Sequence, residues 1–212
     1  ELGIDPVELR WKNCPVPGDS LHTGQKLHSG RVRETLLKAR EMADWDKAKP
    51  GGNRALGVAC GIFACGGFAT SAVVRLNLDG TASVATGAMD MGQGLRTVMG
   101  QIAGEELGLS ADSINVVIGD TDMTPFDVGI FGDRGTHTAG MAMRMAATDA
   151  RNQLLEAAAG AMDTKTSQLE LRDGHAIDTL SGKKLPYREI LGGGQYKKGG
   201  PIIGKASINT SE

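Results

Sequence analysis

Aromatic residues are scarce in this sequence of 212 residues, of which phenylalanine, tyrosine and tryptophan together make up 4%. Glycine, by contrast, occurs 31 times and methionine nine times. The core therefore has to be built from Ala, Val, Ile, Leu and Met, with close backbone approaches at glycine. The length suffices for a substantial core, in one large domain or two small ones. The composition predicts a glycine-rich and closely packed interior.

Cysteine is also rare, and occurs only as Cys14, Cys60 and Cys65, without a CxxC pair or a neighbouring histidine cluster. An odd number in such an arrangement favours reduced thiols in a cytoplasmic protein. Cys60 and Cys65 have the gap found at the start of one iron–sulfur spacing, but no further cysteines follow to complete four ligands. We therefore interpret these two residues as buried thiols of a strand.

Neither sign of charge dominates, since 23 Lys and Arg residues oppose 25 Asp and Glu residues, for a formal net charge of −2. A basic stripe with interleaved aromatic residues is missing, which argues against nucleic acid as a partner. No apolar run reaches the ~20 residues that a membrane-spanning helix needs. The first residues include neither an initiator methionine nor a secretory signal. We expect a soluble, cytoplasmic protein whose sequence begins within a longer gene.

Helical and strand patterns alternate irregularly along the chain. The periodicity predicts a helix that is capped by Asp5 and opens at Pro6, and further helices at residues 29–45, 95–107, 136–162 and 187–191. Strands are predicted for the apolar run 55–67, for both sides of the Asp79-Gly80 turn, for residues 114–120, and for both sides of the Asp173-Gly174 turn. Hairpins beside helices indicate an α+β fold with mixed or antiparallel strands.

The segment GAMDMGQG, residues 87–94, joins a predicted strand to the start of a predicted helix. Glycines at such a turn let backbone amides approach a ligand closely, and the helix dipole favours an anion, such as a phosphate or a pterin edge. Gln93 adds a side chain that both donates and accepts hydrogen bonds. The alternative is a tight turn in which the glycines serve only the backbone.

A second candidate is the long irregular stretch GDTDMTPFDVGIFGDRGTHTAG, residues 119–140, because such connections are more often functional than not. Its GDRGT segment, residues 132–136, directly precedes a helix, so the backbone amides together with Arg134 would form a second anion-binding nest. The alternative is a helix capped by Thr136, with Arg134 in a surface ion pair.

Other chemistry is less well supported. Asp120, Asp122 and Asp127 suggest an oxygen-ligand site for Mg²⁺ or Ca²⁺, although the ligand spacing of an EF-hand is missing. The histidines show no zinc-binding spacing, and the nucleophile motifs of hydrolases do not occur. Glu105, Glu106 and Glu156 fall on predicted helices at spacings that suit solvated faces. We therefore predict neither a catalytic residue nor a metal ligand within this chain.

Three ordered segments together resemble one known family. They are LGIDPVELRWKN at residues 2–13, GAMDMGQGLRTVMGQIAGEELGL at 87–109 and VVIGDTDMTPFDVGIFGDRGTHTAGMAM at 116–143. Their order and spacing are similar to the molybdopterin-binding subunit of the xanthine dehydrogenase and aldehyde oxidase family of molybdenum hydroxylases. The resemblance covers nearly the whole chain, and it implies the α+β fold of that family's molybdenum-cofactor-binding domain.

The resemblance also implies the cofactor contacts, because the family binds the pterin through its MGQG turn and through a second loop that usually reads GSR. By position the contacts would come from Met91, Gly92, Gln93 and Gly94, and from Gly132, Asp133, Arg134, Gly135 and Thr136. Asp133 stands where the family commonly has serine. A carboxylate beside a phosphate would repel it unless Arg134 or the nest amides compensate.

The family's FGG and FRGFG segments and its glutamate base do not occur in this sequence. The resemblance therefore implies an internal fragment that is inactive by itself. Residues 1–50 would be a connecting helical segment, residues 51–165 the molybdopterin-binding core, and residues 166–212 a hairpin and the start of a further subdomain. The alternative is a non-catalytic scaffold or split subunit of a multi-subunit oxidoreductase.

The implied cofactor is molybdopterin, either plain or in a dinucleotide form. In the family, electrons leave through iron–sulfur centres to FAD, so both are expected on partner domains or subunits. The other expected partners are the remainder of the molybdenum subunit and a small substrate, such as an aromatic heterocycle or an aldehyde.

Overall fold

The computed structural model describes residues 2–22, 24–47, 51–61, 63, 66–194 and 200–210. Its helices are α1 (Pro6–Asn13), α2 (Val32–Met42), α3 (Leu95–Leu107), α4 (Gly140–Met162) and α5 (Tyr187–Gly194). Its strands are β1 (Ala69–Leu76), β2 (Ala82–Thr86), β3 (Ile114–Ile118), β4 (Leu169–Arg172), β5 (His175–Asp178), β6 (Lys184–Pro186) and β7 (Ile203–Asn209). They divide between two compact units, Glu1–Phe63 and Ala64–Glu212.

The first unit begins with the predicted capped helix. The Asp5 carboxylate accepts hydrogen bonds from the amides of Val7 and Glu8 at 2.9 and 3.0 Å, and Pro6 opens α1. Trp45 Nε1 donates to the same carboxylate at 3.0 Å. These bonds lower the pKa of Asp5, and the bond from the Trp45 indole has the larger effect, ahead of the backbone bond from Glu8. The cap therefore also connects α1 to the chain that follows α2.

The predicted strand at residues 55–67 is wrong for the part of it that the structure describes. Residues 55–61 form no strand, and Cys60 is exposed, whereas Cys65 lies outside the described residues. The physical reason is that an apolar run becomes a strand only beside a partner, and the described pairings of this unit are single bridges. The small core instead contains Val7, Cys14 and Leu36, and burial raises the pKa of the Cys14 thiol.

The second unit is built on a four-stranded sheet of order β3-β2-β1-β7. β1 pairs antiparallel with β2 through the predicted Asp79-Gly80 turn and antiparallel with β7, whereas β3 pairs parallel with β2. Burial alternates along β1 and β2, so one face of the sheet is apolar. α3 forms the crossover that connects the parallel strands β2 and β3. α3 and α4 contact each other and the sheet.

The contact between α4 and β7 is very close. A Cβ on Gly204 of β7 would lie 2.1 Å from the carbonyl oxygen of Ala146 and 2.5 Å from the amide nitrogen of Ala150. Only glycine fits at this point, and α4 presents alanine to it. Small residues thus replace the missing aromatic side chains in the core, as the composition predicts.

A small three-stranded sheet of order β4-β5-β6 completes the unit, together with α5. The predicted hairpin at Asp173-Gly174 and the short helix after it are confirmed. The hydroxyl of Tyr187, which is 1% exposed, donates to the carbonyl oxygen of Leu107 at 2.6 Å. This bond satisfies a carbonyl of the last turn of α3, which has no partner within the helix.

The predicted α+β class with mixed strands is confirmed by these two sheets and the helices packed on them. The three-part division of the chain at residues 50 and 165 stays a prediction. Residues 195–199, which follow α5, lie outside the described residues. In the part of the chain that the structure describes, no helix is long and apolar enough to span a membrane.

We expect Tyr187→Phe to lower the free energy of unfolding by about 1 kcal/mol near neutral pH, because the Leu107 carbonyl loses its donor. Burial raises the pKa of Tyr187 above its ordinary value of about 10. The wild-type phenol therefore stabilises the fold below pH ~10, and this contribution is lost as the pH rises further. Urea unfolding of both proteins between pH 7 and 11 measures the difference. A gap that stayed constant over this range would contradict the burial of the phenol.

Candidate functional site

The two glycine-rich segments meet where two helices begin. Gly135 opens a single π-helical turn, Gly135–Ala139, which continues into α4. A Cβ on Gly135 would lie 3.3 Å from Cδ1 of Leu95, the first residue of α3. The starts of both helices are therefore side by side. We call residues 87–94 the first loop and residues 119–134 the second loop.

Gly87 marks the point where the two loops cross. A Cβ on Gly87 would lie 2.4 Å from the carbonyl oxygen of Pro125 and 2.9 Å from the amide nitrogen of Asp127. These neighbours are backbone atoms, so a side chain at residue 87 would force one loop to move. The glycine at this position is thus required for the close approach of the loops.

The first loop is closed by Asp90, which the sequence analysis did not single out. Its Oδ1 accepts hydrogen bonds from the amides of Gly92 and Gly94 at 2.9 and 3.2 Å, and its Oδ2 accepts one from the amide of Arg96 at 3.1 Å. The backbone bonds from Arg96 and Gly92 lower the pKa of Asp90. In the sequence, the Asp-x-Gly spacing of Asp90 and Gly92 is the pattern that predicts such an Asx turn.

Gln93 is exposed, but its side chain folds back on the first loop. Its Nε2 donates to the carbonyl oxygen of Met89 at 3.1 Å, and its Oε1 accepts from the amide of Met91 at 2.6 Å. Gly92 and Gly94 have φ of 110° and 79°, and no described atom lies within 4 Å of a Cβ built on either. The backbone of the first loop is therefore open at both glycines.

Arg134 of the second loop is fully buried, so the predicted surface ion pair is wrong. Its Nη1 donates to Asp127 Oδ1 at 2.7 Å and to the carbonyl of Gly129 at 2.5 Å. Nε and Nη2 donate to the carbonyls of Gly67 and Ala69 at 3.1 and 3.0 Å. The guanidinium thus turns into the protein, where one carboxylate and three backbone carbonyls accept its hydrogen bonds.

The backbone before Arg134 is left-handed at two successive residues, with φ of 54° at Gly132 and 51° at Asp133. Aspartate tolerates this conformation better than most residues, which suits its presence at residue 133. The amide of Gly66 donates to the carbonyl of Gly132 at 2.9 Å and so holds the turn. The side chain of Arg134, the next residue, points inward from this turn.

The amides at the start of the π turn differ from those of α3. Within the described residues no side chain caps this helix start, and Thr136 is an exposed residue inside the π turn, so its predicted role as N-cap is wrong. The first amides of a helix have no partner within the helix. Such amides suit an anionic group, and they are consistent with a phosphate-bearing cofactor.

The three aspartates of the second loop do not form a cation site. Asp120 accepts hydrogen bonds from the amides of Asp122 and Met123 at 3.0 and 3.2 Å, and Asp127 pairs with Arg134. Among the described residues, which include all three aspartates, no three acidic, His or Cys side chains are grouped for a metal ion. The alternative of a Mg²⁺ site is therefore wrong, because Arg134 already neutralises Asp127.

We expect Asp90→Ala to release the first loop, because three backbone amides lose their acceptor. The pKa of Asp90 is lowered from 3.8. The carboxylate therefore stabilises the loop above pH ~4, and this contribution is lost as the pH falls through the lowered pKa. The amide chemical shifts of Gly92, Gly94 and Arg96 should change in Asp90→Ala and in acid.

The matched control is Asp79→Ala, in the β1–β2 turn. Loop shifts that ignore both changes would contradict the cap.

Known proteins with a similar sequence support a cofactor site. The profile of the molybdopterin cofactor-binding domain matches residues 32–211. The putative xanthine dehydrogenase molybdenum-binding subunit of Escherichia coli K12 is 32% identical over 228 residues, with 99% of this chain and 30% of that protein covered. The 6-hydroxypseudooxynicotine dehydrogenase complex subunit gamma of Paenarthrobacter nicotinovorans is 30% identical over 192 residues, with 82% and 24% covered.

The fold also has solved counterparts. Quinoline 2-oxidoreductase from Pseudomonas putida 86 superposes with a TM-score of 0.70 at 20% identity, over 100% of this chain and 31% of that one. The chain thus spans about 30% of the length of the first of these relatives. The α+β architecture expected from the resemblance is confirmed, and since the domain profile covers most of the sequence, the chain belongs to the molybdopterin cofactor-binding domain family of the molybdenum hydroxylases.

Proposed function

We propose that this chain supplies part of the molybdopterin-binding surface in the molybdenum subunit of a hydroxylase. The observation that carries the proposal is the meeting of the two helix starts, of which one is closed by Asp90 and the other is uncapped by side chains among the described residues. The proposed contact residues of the two loops and the π turn are Met91, Gly92, Gln93, Gly94, Gly132, Asp133, Gly135 and Thr136.

The two loops would have different tasks. Gly92 and Gly94 leave space for the pterin edge, and the Gln93 amide would exchange its bonds to Met89 and Met91 for bonds to the pterin. The amides of the π turn would hold the phosphate, since they lie at the positive end of α4 and no described side chain caps them. When bound, the molybdenum cofactor supplies the redox chemistry, and these residues position it.

The general base would lie outside this chain. Glu106 is paired with Arg144 at 2.8 Å, and Glu156 is exposed on α4, away from the two loops in sequence. These surroundings support the prediction that the isolated chain is inactive. Neither glutamate has the buried, isolated environment that would tune it for proton transfer.

The relatives support proposals about the whole protein. One is named for xanthine and another for 6-hydroxypseudooxynicotine, which supports a small nitrogen heterocycle as the substrate. The family resemblance adds an aldehyde as the alternative. Because the names describe subunits of complexes, the remainder of the molybdenum subunit and iron–sulfur and FAD subunits or domains are proposed as partners. We also propose that the cofactor is molybdopterin, in its plain or its dinucleotide form, and that the protein is cytoplasmic.

Molybdenum and pterin content tests the proposal directly. We expect about one molybdenum and one pterin per copy in the complete gene product purified with its partner subunits, and neither in the isolated chain of 212 residues. Metal analysis and oxidised-pterin fluorescence make the measurement. Absence of both from the complete protein would instead favour the scaffold function.

Removal of one negative charge tests the phosphate contact. We expect Asp133→Asn to slow cofactor loss by about fivefold, because it removes a repulsion of about 1 kcal/mol without changing the shape of the side chain. Asparagine also tolerates the left-handed backbone. The control is Asp163→Asn, a left-handed aspartate that follows α4. Cofactor release from the purified complex is followed after dilution, and an equal or faster release from Asp133→Asn would place the phosphate elsewhere.

A further inference from the structure

A buried polar cluster lies behind the second loop, and it contains Thr70, Asp127 and Arg134, all with side chains that are fully or almost fully buried. We infer that Arg134 does not touch the cofactor and is a positioning residue, which together with Asp127 fixes the second loop and the π turn to the start of β1. This inference rests on the proposed function and assigns Arg134 a different task from the one that the family resemblance implies.

The hydrogen bonds of Arg134 reach both sides of the loop. On one side, Nε and Nη2 donate to the carbonyls of Gly67 and Ala69, which lead into β1. On the other, Nη1 donates to Asp127 and to the carbonyl of Gly129. One rigid guanidinium thus joins two segments that are distant in sequence. Its planar fork sets the distance between them.

Asp127 is also held by its backbone. It forms an antiparallel bridge with Thr70 of β1, and its Oδ1 accepts the amide of Gly129 at 2.7 Å. Among the described residues, Asp127 Oδ2 and Thr70 Oγ1 are buried without a hydrogen-bond partner. Leaving a carboxylate oxygen in this state costs free energy. Apolar residues of similar volume would commonly stabilise a core at least as well.

A contribution to stability alone therefore does not explain this cluster. Its position indicates a role in positioning, because the loop that it holds ends at the π turn, whose amides no described side chain caps. Arg134 is itself the residue before that turn, and its amide donates to the carbonyl of Phe131 at 3.1 Å. The Phe131 ring lies 5.7 Å from the guanidinium carbon, and Phe68 contacts that ring edge-on at 5.4 Å. Both loop and side chain are thus held in one arrangement.

Lysine would not replace this arginine. An ammonium carries three donors on one atom, whereas the observed acceptors surround three separate nitrogens of the guanidinium. A direct electrostatic contact with the cofactor, by contrast, would need only the positive charge. The two roles therefore predict opposite behaviour for Arg134→Lys.

The experiment uses the complete gene product with its partner subunits. We expect Arg134→Lys and Asp127→Asn each to weaken cofactor retention by about tenfold, the size of effect that second-layer partners of metal sites commonly show. Hydrogen exchange should accelerate in residues 126–136 and stay unchanged in α3 and in the middle of α4. The matched control is Arg144→Lys, an exposed arginine that pairs with Glu106.

Each other outcome overturns the inference. Full cofactor retention in Arg134→Lys would show that the charge alone matters. Unchanged or tighter cofactor retention in Asp127→Asn would mean that Arg134, once released from Asp127, contacts the cofactor itself. Faster exchange throughout α3 and α4, or global unfolding of the milder Asp127→Asn variant, would make the pair a general core interaction. Failure of the proposed function is distinct, since the wild-type complex would then contain no molybdenum.

Discussion

The buried ion pair between Arg134 and Asp127 is the constraint on which the arrangement of the site depends. It is formed at 2.7 Å with both side chains inaccessible to solvent, and its guanidinium also binds the carbonyls that lead into β1. Burying a charge costs free energy unless it is paired, and here each charge is the partner of the other. The second loop therefore has little freedom to move relative to the central sheet, and the helix start that follows it is held in place.

The backbone amides at the two helix starts have different hydrogen-bond partners. At α3, Asp90 already accepts the amides of Gly94 and Arg96, so the loop is complete by itself. At the π turn, no described side chain performs this task. The first helix start thus has a side-chain acceptor for its amides, and the second has none among the described residues.

Much of the fold could be predicted because its signals are local. Asp5 and Pro6 define the start of α1, Gly108 ends α3 in a left-handed conformation, and Asp79-Gly80 turns the β1–β2 hairpin. The run at residues 55–61 could not be predicted in this way, because an apolar sequence does not show whether a partner strand is available. The roles of Asp90 and Thr136 were also missed, since Asx turns and π turns depend on a few hydrogen bonds.

The sequence by itself determined the helices, the two hairpins, the glycine loops and the resemblance to a cofactor-binding family, because periodicity, capping residues and motif order are written along the chain. It did not predict β7, whose place in the sheet depends on pairing with the distant β1. Only the tertiary structure decided that Arg134 faces inward to Asp127 rather than outward to a ligand. The reason is that its acceptors come from residues 67–69 and 127–129, which are far from each other in sequence. Which way a charged side chain turns depends on where such separate carbonyls meet, and that is a property of the folded chain.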